Sequence, residues 1–419
     1  MKVATLSIGD ELLFGETVDT NAAGIAARLY ACGFAVDRHC TVGDQPEDIA
    51  AALIMLAKGH DAVIATGGLG PTSDDLTAVA AAEATADTLV MNEIARSHLT
   101  AFLHRRGREL FPDNEKQALL PSRAAILPNP NGTACGFRLM LDGCRLFFLP
   151  GVPSEMASML EESIIPELVG EKSSPAMLRT KVLKVFGISE AETGRLLDDL
   201  SLPGIGVAYC VEFPIIQVKL RTFPDHSGDP ADLAIAVAKV RERLGDRIVA
   251  EDDDSLETIV ARLLAKQSVT VAVAESCSGG LLSKRLTDIP GSSAYFLAGA
   301  VTYSNAAKSG ILGVAPDLIE RHGAVSSEVA SAMAEGIRHI AGSDISMAVT
   351  GITGPAGGSA EKPVGTVFLA LSTDAHCHVK KLHLAGSRAQ IRIATVCHAL
   401  DWLRRHLLHR LPANRINPS

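Results

Sequence analysis

Val269-Thr-Val-Ala-Val273, running on through Ala274-Glu-Ser-Cys-Ser-Gly-Gly280, is the stretch that decides how this chain is read. A short β-branched run bounded by small polar residues is the pattern of a buried strand. Leu281 to Leu286 then places apolar residues at helical spacing. Ser276, Cys277, Ser278, Gly279 and Gly280 therefore fall on a strand-to-helix turn. Such a turn directs the N–H groups of a helix start into one small space, here beside two hydroxyls and a thiol. A carbonyl oxygen or phosphate placed there would meet ready donors. The competing reading is structural: Ser276 or Ser278 caps a helix, and the glycines ease close packing.

Two further loops favour the chemical reading. Tyr295 to Tyr303 reads as another buried strand, followed by Ser304-Asn-Ala-Ala-Lys308. Ile345 to Val349 reads as a third, followed by the glycine-rich loop Thr350-Gly-Ile-Thr-Gly-Pro-Ala-Gly-Gly358. Hydroxyls, a lysine and open glycine backbone at three strand ends suit a crevice at the carboxyl edge of a sheet. These motifs, together with Arg321-His-Gly-Ala-Val-Ser326 and Lys362-Pro-Val-Gly-Thr366, closely resemble the C-terminal domain of the competence/damage-inducible protein CinA family. The resemblance runs in order from Ser255 to about Arg405. It implies a nicotinamide mononucleotide deamidase that needs no cofactor. Ser276 would be the nucleophile, with Tyr303 and Lys308 as its activators. Ser278, Gly279, Gly280, Thr350, Gly351, Thr353, Gly354 and Arg388 would bind the oxyanion and the substrate. Whether Tyr303 or Lys308 takes the proton stays open. A neutral lysine in a buried site and a tyrosine relaying to lysine both serve. Cys277 is the better free nucleophile, but neighbouring residues leaving a strand face opposite ways, so it should pack inward.

The start of the chain alternates strand and helix. Val3 to Ile8 reads as a first strand. Thr20 or Asn21 caps a helix ending before Gly33, and Phe34 to His39 is a second strand. A helix opened by Pro46 closes near Gly59, and Asp61 to Thr66 is a third strand. That order predicts an α/β/α sandwich around a parallel sheet. The hairpin Arg138 to Leu149, turning at Asp142-Gly143, makes the sheet mixed. The loop Thr66-Gly-Gly-Leu-Gly-Pro-Thr-Ser-Asp-Asp75 has neither a Walker A ending nor dinucleotide-fold spacing. Its glycines would admit phosphate and its acids a hard divalent cation, unless Ser73 or Asp74 merely caps the next helix.

With Ile8-Gly-Asp-Glu-Leu-Leu13, Asp19-Thr-Asn21, Asn129-Pro-Asn-Gly-Thr-Ala-Cys-Gly136 and Leu149-Pro-Gly-Val-Pro-Ser-Glu155, this loop resembles the molybdopterin-binding-like domain that opens the CinA family. The resemblance implies an ADP-ribose pyrophosphatase using Mg, Mn or Co. Asp10, Asp74, Asp75 and Glu155 would be its metal ligands, and Gly67, Gly68, Gly70 and Thr72 its nucleotide contacts. Asp10 gives the Gly-Asp-Glu of the molybdopterin-insertion relatives. A pterin-binding protein therefore remains an alternative, as does a non-catalytic partner in DNA uptake or damage response.

Between the two lies a β-α-β-β-α segment. Ser189-Glu-Ala-Glu192 forms a capping box, and a helix from Asp229 to Leu244 turns Leu233, Ile235, Val237 and Val240 inward. It resembles the KH-like linker of the same family, but Pro203-Gly-Ile-Gly206 lacks the basic loop that clamps RNA. The acidic Glu251 to Asp254 reads as a solvated boundary. Three domains follow: 1–170, 172–250 and 255–419. A net charge of −9 argues against a general nucleic-acid or anionic-membrane partner. Eight scattered cysteines without a C-x-x-C pair fit the reducing cytoplasm rather than a disulfide framework or zinc site. His376, His378 and His383 read as surface histidines of one strand, and Arg404-Arg405-His406 as a solvated helix end. Arg388 and Arg392 share a helix face. The expected partners are the two nucleotides and a second copy of the chain in a homodimer.

Overall fold

The computed structural model describes residues 1–170, 178–223 and 230–409. The chain divides into two compact units, residues 1–179 with 222–229, and residues 180–221 with 230–419. Among the described residues no helix is long and apolar enough to cross a membrane.

In the first unit the strands are β1 (Val3–Ile8), β2 (Val36–Val42), β3 (Ala62–Thr66), β4 (Leu89–Met91), β5 (Leu119–Pro121), β6 (Ala125–Leu127), β7 (Gly136–Leu141) and β8 (Cys144–Leu149). The main sheet runs β2-β1-β3-β8-β7-β6, and β4 pairs with β5 apart from it. Strands β2, β1, β3 and β8 are parallel, and the β7–β8 hairpin and β6 add the antiparallel edge. Every residue of β1, β3 and β8 is buried, Thr5, Ser7 and Arg145 included, which is why these strands read as mostly apolar runs without polar alternation. Alternation serves both faces. Phe148 packs with Ile49, Leu53 and Leu56 of helix Pro46–Ala57, whereas Phe147 packs with Ile25, Leu29 and Met159. The hairpin turns where Asp142 and Gly143 both take positive φ, 51° and 85°.

Two capping expectations need correction. Helix Thr20–Ala31 is capped by Asp19, whose carboxylate accepts from Ala22 N–H at 2.9 Å, not by Thr20 or Asn21. Helix Thr77–Ala84 has no side-chain cap, so Ser73 and Asp74 are free of that duty.

The second unit holds two sheets. Strands β9 (Thr180–Val185), β10 (Ile205–Glu212), β11 (Ile215–Thr222) and β12 (Ile248–Glu251) form one, in the order β10-β11-β9-β12. Helix Glu190–Leu197 is opened by Ser189, whose hydroxyl accepts from Glu192 N–H. Helix Pro230–Leu244 buries Leu233, Ala236, Val237, Val240 and Leu244 against this sheet. Ile235 does not join them and is 55 % exposed. At 100° per residue it sits across the helix from Leu233, so the inward expectation for it was a misjudged stripe. The residue at 229, where that helix was expected to start, lies outside the described residues.

The acidic boundary is also corrected. Glu251 ends strand β12; Lys181 lies 2.7 Å from it and 2.6 Å from Asp252, and Arg262 lies 3.0 Å from Asp254. Glu251, Asp252 and Asp254 are paired to cations, so the run is not a free linker.

The other sheet has β13 (Val271–Glu275), β14 (Phe296–Val301), β15 (Ile345–Gly351), β16 (Thr366–Ser372) and β17 (Cys377–His383), in the order β14-β13-β15-β16-β17. The first three are parallel, and β16 and β17 run antiparallel. Val271 and Val273 face helices Leu256–Gln267 and Arg388–His409, whereas Ala272 and Ala274 let helix Ser327–Ala341 approach the opposite face. The basic helix end is not solvated. Arg404 is 4 % exposed and holds Asp401 at 2.7 Å.

The helix in 230–244 gives a clean test of packing. Leu244→Ala should cost about 2–5 kcal/mol of local stability, as for buried leucines generally. Ile235→Lys should stay within about 0.5 kcal/mol. Hydrogen-exchange protection of strands β9 and β11 would measure both; equal losses would contradict the stripe described here.

Candidate functional site

Strands β13, β14 and β15 deliver three loops to one edge of their sheet, with β13 at the point where chain order reverses. Backbone bonds tie the loops together. Ser276 N–H donates to Val349 O at 2.9 Å, and Thr302 N–H donates to Glu275 O at 2.7 Å. Helix Asn305–Leu312 is opened by Ser304, whose hydroxyl accepts from Ala307 N–H. One turn in, Lys308 is 1 % exposed.

Lys308 Nζ lies 3.1 Å from Ser276 Oγ, 2.8 Å from Thr302 O and 3.3 Å from Tyr303 O. Two carbonyls can take the two N–H groups of a neutral amine, leaving its lone pair for the serine proton. Burial pushes the Lys308 amine below its ordinary range, and among the described residues no carboxylate pairs with it. Burial pushes the neighbouring Cys277 thiol up to about 12. That group is an inert apolar filler in the core behind the turn.

Tyr303 stands apart from the serine in its hydroxyl. The side chain is exposed, and its hydroxyl accepts from Arg388 Nη2 at 3.0 Å. Arg388 also donates to Thr353 Oγ1 at 2.8 Å and Gly354 O at 2.9 Å. The geometry thus forms a Ser276–Lys308 pair beside a Tyr303–Arg388–Thr353–Gly354 cluster, linked through the Tyr303 carbonyl. Thr350 serves the loop itself, donating its hydroxyl to Ala324 O at 2.8 Å. Gly351 packs against β16, where a Cβ would come 2.7 Å from Val367.

At the turn, helix Leu281–Thr287 starts at Gly280 with no side-chain cap. Neither Ser276 nor Ser278 caps it, which corrects the structural reading of those serines. Gly279 N–H is committed to Ser276 O at 3.1 Å, so it is not a free oxyanion donor. Sequence reasoning passed over Glu275 here and placed Arg392 only on a helix face shared with Arg388. Glu275, fully buried, accepts from Leu282 N–H, Ser283 N–H and Ser283 Oγ. Arg392 donates to Ser278 O from Nε at 3.2 Å and Nη2 at 2.7 Å, so it is not part of a solvated face. The histidines of β17 are exposed.

The first unit has its own cleft, about 480 Å³, at the carboxyl ends of β1, β3 and β8. Gly67, Gly68, Gly70, Asp74, Asp75 and Glu155 line it. Asp10 does not, but it exchanges hydrogen bonds with Asp44, which does: Asp10 N–H donates to Asp44 Oδ2 and Asp44 N–H to Asp10 Oδ1. Thr72 acts from outside, its N–H donating to Asp75 Oδ2 at 2.8 Å. Two glycines are required by close approach. At Gly67, with φ 109°, a Cβ would lie 2.1 Å from Ile8 O, and at Gly68 it would lie 2.2 Å from Thr77 Oγ1.

Glu11, Asp19, Asp44, Asp74, Asp75 and Glu155 all line this cleft, with no lysine, arginine or histidine among the lining residues. Burial, and the charges of Asp10, Asp74 and Asp75, push the Asp44 carboxyl above its ordinary range against the backbone bond at Asp10. An all-oxygen donor set suits a hard divalent cation. Among the described residues, however, no three acidic, histidine or cysteine side chains already converge on one point.

Residues 4–169 match the model of a probable molybdopterin binding domain, and residues 253–407 that of the CinA C-terminal domain. The class is thus a protein that joins a molybdopterin-binding-like domain to a CinA C-terminal domain. A CinA-like protein of Geobacter sulfurreducens is 59 % identical over 97 % of this chain and 100 % of its own. A putative competence-damage inducible protein of Caldanaerobacter subterraneus is 41 % identical over 97 % of this chain and 98 % of its own. The chain belongs to the CinA-like protein family. Among solved structures, a competence/damage inducible protein from Agrobacterium tumefaciens is 40 % identical, covering 36 % of this chain and 95 % of its own with a TM-score of 0.35.

The two thiol environments can be told apart by alkylation. Cys210 is exposed, whereas Cys277 is buried with a raised pKa. Iodoacetamide at neutral pH should label Cys210 and spare Cys277 in peptide mass spectra. Equal labelling would contradict the inward packing of Cys277.

Proposed function

We propose that the second unit hydrolyses nicotinamide mononucleotide to nicotinic acid mononucleotide and ammonia, and that the first splits ADP-ribose into AMP and ribose 5-phosphate. The observation that carries the first activity is the buried, uncompensated Lys308 amine 3.1 Å from Ser276 Oγ. A serine hydroxyl is a weak nucleophile until a base takes its proton. Ser276 Oγ attacks the carboxamide carbon as Lys308 accepts that proton. Lys308 then returns it to the departing nitrogen, the C–N bond breaks, and ammonia leaves an ester on Ser276. Water attacks the ester, its proton passes through Lys308 to Ser276 Oγ, and the carboxylate is released. Amides at the turn around Ser278 and Gly280 stabilise the oxyanion. Arg388 and Tyr303, joined at 3.0 Å, hold the ribose phosphate with the Thr353–Gly354 loop.

In the first unit the charged side chains that an anionic pyrophosphate meets along the cleft are all carboxylates, so a divalent cation is part of the reading. Asp44, Asp74, Asp75 and Glu155 would hold it, with Asp10 supporting Asp44. Such an ion, when bound, neutralises phosphate charge and polarises the phosphorus centre. The chain's own part is to set the glycine loop against Ile8 and to keep the carboxylates oriented through Thr72 and Asn129, whose Nδ2 donates to Glu155 at 2.7 Å.

Ser276→Ala should lower deamidase turnover by about 10³-fold or more, whereas Cys277→Ala should keep most of it. Chromatography of the products reads both, and near-full turnover by Ser276→Ala removes the serine from the chemistry. The base must be neutral, so activity should fall as pH drops through the lowered Lys308 pKa and level off above it. A rate rising toward acid pH would contradict this role. For the first unit, chelator or Asp75→Ala should abolish ADP-ribose hydrolysis and leave deamidation intact. Unchanged ADP-ribose turnover in Asp75→Ala would exclude Asp75 from metal binding.

A further inference from the structure

The Ser276 turn is held from both sides by charged groups that the hydrolytic steps do not use. Its backbone is intrinsically loose, since Gly279 and Gly280 take consecutive positive φ values of 59° and 88°. A glycine accepts either sign of φ at small cost, so the Ser278–Gly279 peptide could flip, breaking the Gly279 N–H bond to Ser276 O and turning the flanking Ser278 and Gly280 amides away. Three donors oppose that flip. Leu281 N–H reaches Ser278 O at 3.3 Å, Arg392 Nε at 3.2 Å and Arg392 Nη2 at 2.7 Å. Arg392 comes from helix Arg388–His409, and a Cβ on Gly279 would lie only 3.2 Å from its Nη2. The guanidinium thus occupies the space beside the glycine as well as bonding the carbonyl.

On the other side, Glu275 fixes where the next helix begins. Its carboxylate takes Leu282 N–H at 3.0 Å, Ser283 N–H at 2.8 Å and Ser283 Oγ at 2.6 Å. It is fully buried, and among the described residues these donors, rather than a cation, satisfy it. A carboxylate that accepts amides at a helix start does the work of a cap from the residue before the turn. Glu275 and Ser276 are chain neighbours, so the same side chain anchors the base of the nucleophile.

We propose that Glu275 and Arg392 are positioning residues that clamp the Ser276–Gly280 turn from its two sides, so that the Ser278 and Gly280 amides flanking the held peptide keep facing the developing oxyanion. The proposal rests on the deamidation reading. It makes neither residue a substrate contact. Binding of the ground state is therefore unaffected by their loss, and stabilisation of the tetrahedral intermediate is what suffers.

The test uses the full chain with Arg392→Ala, Arg392→Lys and Glu275→Gln, assayed for ammonia release from nicotinamide mononucleotide. Each variant should lose about 10²-fold in kcat, the scale of one lost oxyanion donor. KM should stay within about threefold, since the loss is confined to the transition state. Added guanidinium at low concentration should restore part of the Arg392→Ala rate and none of the Glu275→Gln rate. Lysine keeps the charge but not the paired N–H geometry, so Arg392→Lys should fall almost as far as Arg392→Ala. Should Arg392→Ala fail to fold, the other two variants carry the test through the same split. A loss confined to KM would make Arg392 a substrate contact and overturn the proposal, as would unaltered kcat in the variants. An unmodified chain with no deamidase activity would instead refute the underlying reading.

Discussion

A single buried amine organises the second unit. Lys308 is 1 % exposed and has no carboxylate partner among the described residues, so its charged form is disfavoured where it sits. Burying an ammonium without a counter-charge is costly; a neutral amine needs only acceptors for its two N–H groups. Thr302 and Tyr303 carbonyls supply them, and both lie where β14 gives way to the helix capped by Ser304. The strand end, the cap and the register of one helical turn together place Nζ at Ser276. Had an aspartate stood beside it, the lysine would stay protonated and could not act as a base.

The two units put loops at the same place and load them oppositely. Both collect glycine-rich segments at the carboxyl ends of parallel strands, where helix starts and open backbone converge. In the first unit six carboxylates line the cleft, and burial together with the charges of Asp10, Asp74 and Asp75 pushes the Asp44 carboxyl up, a repulsion that a cation would relieve. In the second the site is built from hydroxyls, carbonyls, one amine and two guanidinium groups. Amide hydrolysis needs a base and oxyanion donors, whereas pyrophosphate hydrolysis needs neutralisation of charge. Under the proposed activities, this contrast in side chains follows from the bonds to be broken.

Much of the fold was legible because buried strands are mostly apolar runs without polar alternation; β3 and Val271 to Ala274 of β13 are the clearest. Ser189 was legible as a cap because the Ser189-Glu-Ala-Glu192 pattern stands before a periodic segment. Asp19, Thr20 and Asn21 could all cap, and only backbone geometry selects Asp19. The acidic run at Glu251 hid strand β12, which is short and ends on the first residue of that run, and whose pairing with Lys181 joins residues seventy apart in sequence. At the site, Ser276 and Lys308 were read from loop motifs, but their direct approach and the outward engagement of the Tyr303 hydroxyl were not. Asp44, and the contact that Arg392 makes, went unread for one reason. Each acts through a contact more than thirty residues away, with Asp10 or Ser278, and no local pattern records such a pairing.

The most direct test of the account is rapid quenching of the deamidation reaction followed by peptide mass spectrometry. The account predicts a burst of ammonia stoichiometric with protein, with the acyl mass on the peptide containing Ser276 and localised to its hydroxyl. An acyl group on Cys277, or full-rate turnover with no burst and no adduct at any quench time, would contradict it.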